Sequence, residues 1–277
     1  MPGYLVLLRP LNAVMSGVAV GVGAVVAVGP SEAARLALPV GLGAFVAFLF
    51  TGAGNALNDV YDRDVDRVNH PNRPIPAGQI APAAAFDFAF ALFIAAIVLS
   101  LFVNLAAFGF VLLSLALMIV YEVRFKSGGW SGNLLIAWLV GSLFLFAGLC
   151  VYQGRARPLQ IAASLAVLAG LSTVAREIVK DIEDVAGDAG RATLPKTRGL
   201  PFAGRAAQVA LVAAIALSAL PWGIGLLSGW YLPLVALADA VFIYAALYAT
   251  RSPGRSEQSM KVAMILALVA FLAGGLA

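Results

Sequence analysis

Apolar stretches of about 20 residues recur along the whole of this 277-residue chain, and a helix of that length crosses the hydrocarbon core of a bilayer. Hydrophobic residues make up 62% of the sequence and charged residues only 12%. Soluble domains have about 45–50% apolar and about 25% charged residues. The alternating pattern of barrel strands is absent from the sequence, so we predict an all-α integral membrane protein.

Nine of these stretches predict nine transmembrane helices, and no long polar linker separates them. We therefore expect a single transmembrane domain over residues 1–277. The predicted spans are residues 10–28, 38–57, 84–103, 105–121, 132–152, 159–180, 206–227, 230–249 and 260–276.

Lysines and arginines are distributed unevenly between the two ends of the predicted spans. Of the 18, all but three fall on the side that holds the N-terminus and the loops after even-numbered spans. The three exceptions are Arg35, Arg155 and Arg157. Because loops rich in these residues stay in the cytoplasm, we predict a multi-pass cell-membrane protein with a cytoplasmic N-terminus and an extracellular C-terminus.

Most acidic residues lie in two patches, which follow the second and sixth predicted spans and therefore share the predicted cytoplasmic side. Both patches place polar residues at i, i+4, i+7 and i+11, and on a helix these positions fall within an arc of roughly 60°. Asp64 and Glu183 are predicted to point elsewhere. The two sets are Asn55, Asp59, Asp62 and Asp66, and Glu177, Asp181, Asp184 and Asp188.

Carboxylates stacked on one helix face repel each other, so we expect a cation at these patches. Oxygen donors without histidine or cysteine favour Mg²⁺, and the chain has only one cysteine, Cys150, and one histidine, His70. A solvated charged face remains the alternative for either patch alone. A calcium loop starting at Asp62 is excluded because it lacks the required glycine and glutamate, and no glycine-rich nucleotide loop is present.

Basic residues are interleaved with both patches and also occur in the sequence YEVRFK, residues 121–126. They are candidates for holding the outer oxygens of a phosphate group. The alternative is the ordinary excess of positive charge on the cytoplasmic side. These residues are Arg63, Arg67, Arg73, Arg124, Lys126, Arg176, Lys180 and Arg191.

The motifs NDVYDRDVD, residues 58–66, and DIEDVAGD, residues 181–188, resemble the two aspartate-rich motifs of the UbiA superfamily of intramembrane prenyltransferases. The resemblance covers essentially the whole chain and implies nine helices around an apolar tunnel for isoprenoid tails. It also implies that Mg²⁺ and a prenyl diphosphate donor bind where the two motifs meet.

The resemblance further implies a role for each candidate residue. The expected metal ligands are Asn55, Asp59, Asp62, Asp66, Asp181, Asp184 and Asp188. The expected catalytic residues, which neutralise charge on the leaving group or line its site, are Tyr121, Arg124, Lys126 and Lys180. The expected substrate-binding residues, with Arg9 and Asn12 proposed for the acceptor head, are Arg9, Asn12, Asn58, Arg63, Arg67, Arg73 and Arg176.

Three further strings, LLRPLNAVMSG, NHPNRPIPAG and REIVKDIEDVAGD, resemble the branch of the superfamily that makes archaeal ether lipids. That branch implies transfer of a geranylgeranyl group to the sn-2 hydroxyl of geranylgeranylglyceryl phosphate. An aromatic acceptor such as 4-hydroxybenzoate remains an alternative. From another functional class, an ion-coupled transporter would explain Asp239 within the eighth span. We expect contacts with membrane lipids, no nucleic acid and no obligate protein partner.

Overall fold

The computed structural model describes residues 3–126, 128–186 and 192–276. Within these ranges nine helices are long and apolar enough to cross a membrane, and no strand occurs. The predicted all-α membrane fold is therefore confirmed. The helices, numbered α1 to α9, are Pro10–Val28, Ala37–Tyr61, Pro82–Leu101, Leu105–Val120, Trp130–Cys150, Ala156–Glu183, Leu200–Ser218, Tyr231–Tyr248 and Pro253–Leu276.

Helices α1, α5 and α6 form the centre of the bundle. Helix α1 packs on α2, α5, α6 and α9, while α6 packs on α5, α7 and α9. One buried cluster joins the first five helices, and another joins the last four to α5. A Cβ atom at Gly141 of α5 would lie 2.6 Å from the carbonyl oxygen of Ala166 in α6, so glycine is what permits this close approach.

Several predicted helix boundaries are wrong, most clearly that of the seventh span, which begins at Leu200 rather than 206 and ends at Ser218 rather than 227. A proline begins it early, and Pro221 starts a separate short helix, Leu220–Gly223. The ninth helix begins at Pro253 rather than at residue 260. Its first turns are polar, so the apolar pattern did not include them. Apolar windows detect only the part of a helix that lies in hydrocarbon.

Both acidic motifs begin on a helix, as predicted, but neither continues on one helix through all its positions. Helix α2 ends at Tyr61, and Asp62 takes the end-cap conformation with φ −86° and ψ 0°. Helix α6 ends at Glu183, and Asp184 follows with φ −85° and ψ 1°. The third member of each motif thus occupies the same structural position. The chain continues as a short helix, Arg63–Asn69, and as a 3₁₀ turn, Asp184–Ala186; Asp188 and Arg191 lie outside the described residues.

Candidate active site

A cavity of about 650 Å³ lies between α2 and α6 at the end of the bundle where both acidic motifs occur. Its inner wall is apolar and includes Phe50, Met118, Leu139 and Leu143. Its mouth is formed by polar and charged side chains from four segments of the chain. These are Arg9, Asn55, Asn58, Asp62, Asp66, His70, Arg73, Tyr121, Glu122, Lys126, Arg176, Glu177, Lys180 and Asp184.

Two carboxylates of the first motif are buried against arginines. The side chains of Asp59 and Asp66 are 4% and 5% exposed. Arg73 donates to Asp66 Oδ2 at 2.6 Å and more weakly to Asp59 Oδ1 at 3.5 Å. Arg9 donates to Asp59 Oδ1 at 2.5 Å. These pairs offset the cost of burying the two charges.

Arg9 reaches Asp59 from an unusual backbone conformation, with φ 48° and ψ 69°. It joins the short helix Gly3–Leu8 to Pro10, and the right-handed helical region is unfavourable for a residue before proline. The carbonyl oxygen of Leu8 accepts a hydrogen bond from Asn55 Nδ2 at 3.1 Å. The N-terminal segment is thereby fixed to α2, and Arg9 becomes part of the cavity wall.

Lys126 is at the centre of a second polar network. Its Nζ atom lies 2.8 Å from Asn58 Oδ1, 2.9 Å from Asp62 Oδ1 and 2.7 Å from Glu122 Oε2. Asn58 Nδ2 also donates to Asp62 Oδ2 at 3.1 Å. The lysine comes from the end of a π-helical turn, Tyr121–Phe125, that continues α4. The network therefore joins the first motif to the α4–α5 connection.

The start of the second motif is linked to the last helix. Arg176 donates to Glu177 Oε1 at 2.5 Å, and its Nη1 lies 3.5 Å from Glu257 Oε1 in α9. The buried Nε atom of Arg176 has no hydrogen-bond partner among the described residues. Lys180 is 55% exposed, and its Nζ lies 3.9 Å from Glu177 Oε2. Arg176 and Lys180 thus place positive charge at the cavity mouth opposite Lys126.

Asp181 and Asp184 have different surroundings. Asp181 Oδ2 accepts a hydrogen bond from Asn133 Nδ2 of α5 at 3.0 Å, and Asp181 is absent from the cavity lining. Asp184 is exposed and lines the cavity. Among the described members of the second motif, Asp184 therefore corresponds best to Asp62 of the first.

The structure does not bring four of the predicted substrate and catalytic residues to the cavity. Arg63 and Arg67 are exposed and lie near the exposed carboxylate of Asp64 instead. Arg124 and Asn12 are also exposed and do not line the cavity. A π-helical turn brings Lys126 inward while Arg124 stays outward. The outward direction predicted for Asp64 is confirmed.

Sequence reasoning missed Glu122 and Asn133. Glu122 lies within YEVRFK, a sequence in which the basic residues suggest phosphate binding. A carboxylate next to a membrane span is itself a signal of a functional site. Asn133 carries no motif, and only the packing of α5 on α6 brings it to Asp181.

Residues 14–273 match the UbiA prenyltransferase family. The chain belongs to this family. It is 38% identical to the digeranylgeranylglyceryl phosphate synthase of Methanosarcina mazei, with 98% of this chain and 97% of that protein covered. The corresponding protein of Methanopyrus kandleri is 38% identical, with 99% of each chain covered.

Solved structures agree with the UbiA family fold. A structure of a digeranylgeranylglyceryl phosphate synthase in membranes superposes with a TM-score of 0.84 at 32% identity and covers 99% of this chain and 98% of that one. A UbiA homologue from Archaeoglobus fulgidus bound to GPP and Mg²⁺ has a TM-score of 0.68 at 20% identity, with 99% and 98% covered. The second likeness concerns the fold alone.

The donor set at the UbiA family cavity suits a hard cation. Asn55, Asp62, Asp66 and Asp184 line it and carry side-chain oxygen atoms, which are the ligands that Mg²⁺ prefers. No group of three acidic, histidine or cysteine side chains is assembled in the part of the chain that the structure describes. Guanidinium and ammonium groups also lie against these carboxylates, with Arg73 paired to Asp66 and Lys126 paired to Asp62.

Asp239 has a structural environment remote from the cavity. Its Oδ2 atom accepts a hydrogen bond from Ser218 Oγ at 2.7 Å, and the Ser218 carbonyl oxygen accepts one from Tyr231 Oη at 2.7 Å. These bonds join α7 to α8 within the apolar layer. They account for a carboxylate that otherwise suggested an ion pathway.

Proposed function

We propose that this protein transfers a geranylgeranyl group from geranylgeranyl diphosphate to the sn-2 hydroxyl of geranylgeranylglyceryl phosphate, a step of archaeal ether-lipid synthesis. The observation that carries the proposal is similarity over nearly the full length to proteins named digeranylgeranylglyceryl phosphate synthase. The cavity supports it, because a charged mouth and an apolar inner wall suit the two parts of a prenyl diphosphate.

The reaction replaces the bond between C1 of the prenyl chain and its diphosphate oxygen with a bond from C1 to the acceptor oxygen, and the hydroxyl proton is released. Negative charge grows on the departing diphosphate, so cations at the mouth stabilise the transition state. Lys126, Arg176 and Lys180 are placed for this role. Phe50, Leu139 and Leu143 hold the tail and exclude water, which would otherwise capture the allylic cation.

Mg²⁺ is the cofactor that we assign to this site; when bound, it neutralises diphosphate charge and makes the diphosphate a better leaving group. Asp62 and Asp184 are the leading ligands, since both follow a helix end and line the cavity. Asn55 and Asp66 also line it. Asp59 supports the site through its contacts with Arg9 and Arg73, and Asp181 through its hydrogen bond from Asn133. Asp188 stays a predicted ligand.

We also propose the orientation in the membrane. The cavity mouth lies at the end of the bundle that carries most of the basic residues, and this supports a cytoplasmic mouth. With nine spans, we therefore propose a cytoplasmic N-terminus and an extracellular C-terminus. A single domain over residues 1–277 stays a prediction, supported by the central position of α1, α5 and α6.

An acceptor panel tests the proposed function. Purified protein in detergent receives geranylgeranyl diphosphate, Mg²⁺ and either geranylgeranylglyceryl phosphate or 4-hydroxybenzoate. We expect an ether product with the glyceryl phosphate and none with the aromatic acid. Product with the aromatic acid alone would instead support a quinone-precursor enzyme. Because detergent abolishes any membrane gradient, turnover there also separates a transferase from an ion-coupled transporter.

A further inference from the structure

Glu122 is a buried carboxylate at the cavity that belongs to neither aspartate-rich motif. Its side chain is only 1% exposed. It lies in the π-helical turn, where the Lys126 amide donates to the Tyr121 carbonyl oxygen five residues earlier at 2.8 Å. Such turns are rare and often occur at functional sites. This turn brings Glu122 and Lys126 together on the cavity wall.

Lys126 has three oxygen acceptors within 2.9 Å of its ammonium group in the present arrangement. It donates hydrogen bonds to Asn58 Oδ1 and Glu122 Oε2 and forms an ion pair with Asp62 Oδ1. Two of these acceptors belong to the first motif, and Asp62 is a leading candidate for Mg²⁺. The third comes from the same turn as the lysine itself.

We propose that Glu122 is the positioning residue that keeps Lys126 in place when residues of the first motif bind metal and substrate. This inference rests on the proposed function. Were Asp62 to bind Mg²⁺, its ion pair with Lys126 would be released and the ammonium group could face the donor diphosphate. Glu122 would retain its hydrogen bond to Lys126, so the ammonium group would stay at the cavity mouth. Glu122 itself touches neither the metal nor the diphosphate.

Without Glu122, Asp62 of the first motif is the carboxylate that remains paired with Lys126 among the described residues. Lys126 would then compete directly with Mg²⁺ for Asp62, and the metal concentration needed to bind diphosphate would rise. The ammonium group of Lys126 would also be held less firmly at the cavity mouth. Hydrogen bonds to charged groups contribute enough to change an equilibrium constant by about tenfold or more.

The test measures binding rather than turnover. Radiolabelled geranylgeranyl diphosphate is bound to purified protein without acceptor, over a series of Mg²⁺ concentrations. We expect Glu122→Gln to raise the half-saturating Mg²⁺ concentration about tenfold. Glu32→Gln is the matched control, because Glu32 pairs with Arg35 at 3.3 Å near the opposite end of the bundle. It should leave this concentration unchanged.

Two more variants separate positioning from a general effect of negative charge. Glu122→Asp keeps the charge but is one methylene too short to hold Lys126, so we expect it to be impaired like Glu122→Gln. In a Lys126→Met background, Glu122→Gln should have no further effect. A normal Glu122→Asp protein, or an undiminished effect in that background, would overturn the inference. If Glu122→Gln does not fold, Glu122→Asp alone decides the question.

This design keeps the two proposals distinguishable. If the wild-type protein binds the diphosphate but forms no lipid product, the proposed function fails while the role of Glu122 can still be measured. If the lipid product forms and both Glu122→Gln and Glu122→Asp bind Mg²⁺ and diphosphate like the wild type, only the role of Glu122 fails.

Discussion

Arg67 and Arg73 are six residues apart in the sequence, yet the structure gives them opposite roles. Arg67 is 69% exposed and lies 3.3 Å from Asp64, itself 70% exposed. Arg73 is 29% exposed and pairs at 2.6 Å with Asp66, which is 5% exposed. Replacing each arginine by alanine therefore removes a surface pair in one case and leaves a buried carboxylate without its guanidinium partner in the other.

The expected losses of unfolding free energy differ accordingly. Removing one partner of a buried pair costs about 3–5 kcal/mol, and we take about 3 kcal/mol because water reaches part of Arg73. An exposed pair contributes about 0–1 kcal/mol. At about 2–4 °C per kcal/mol for a large domain, Arg73→Ala should lower the melting temperature by about 6–12 °C. Arg67→Ala should lower it by less than about 4 °C.

Thermal unfolding in one detergent measures both values. Adding Asp66→Asn to Arg73→Ala removes the unpaired charge, so the double variant should recover at least half of the lost stability. Its diphosphate binding should stay weak, because both side chains line the cavity. Equal shifts for the two single variants, or a double variant less stable than Arg73→Ala, would refute this account of the buried pairs.

Three other expectations follow from the same geometry. Chelation should abolish turnover and Mg²⁺ should restore it, and full activity in excess EDTA would contradict a metal-dependent site. Asp62→Ala should lower the rate by about 10²–10³, as when one group that stabilises developing charge is lost, whereas Asp64→Ala should cost less than about tenfold; equal loss in folded proteins would show that Asp64 also faces the site. A cysteine at position 155 should react with an impermeant reagent on intact cells, and one at position 67 should not. The reverse result would show that the orientation is opposite to the one proposed.

The number of helices could be predicted because the bilayer fixes the length of each apolar stretch. The meeting of the two motifs followed from the same count, since both come after even-numbered spans. The ends of the helices were less predictable. Helix α6 extends to Glu183, beyond its apolar part, and the breaks at Asp62 and Asp184 leave no mark in the spacing of the acidic residues.

Pairings between distant segments could not be read from the sequence. The contacts of Arg9 and Arg73 with Asp59 join residues 50 and 14 positions apart, and no local pattern distinguishes Arg73 from the exposed Arg67. Glu122 was overlooked for a related reason: its importance comes from the π-helical turn that brings it beside Lys126. Helical periodicity predicts which residues share a face, but not which counter-ion a buried charge selects.

In the proposed function, a prenyl group is transferred to a lipid hydroxyl in one cavity that both motifs line. The most direct measurement follows pyrophosphate release and ether product together in purified wild-type protein and in an Asp62→Ala, Asp184→Ala double variant. We predict one pyrophosphate for each geranylgeranyl ether formed on geranylgeranylglyceryl phosphate, and loss of both products in the folded double variant. Ether formation at an undiminished rate in that variant would contradict the claim.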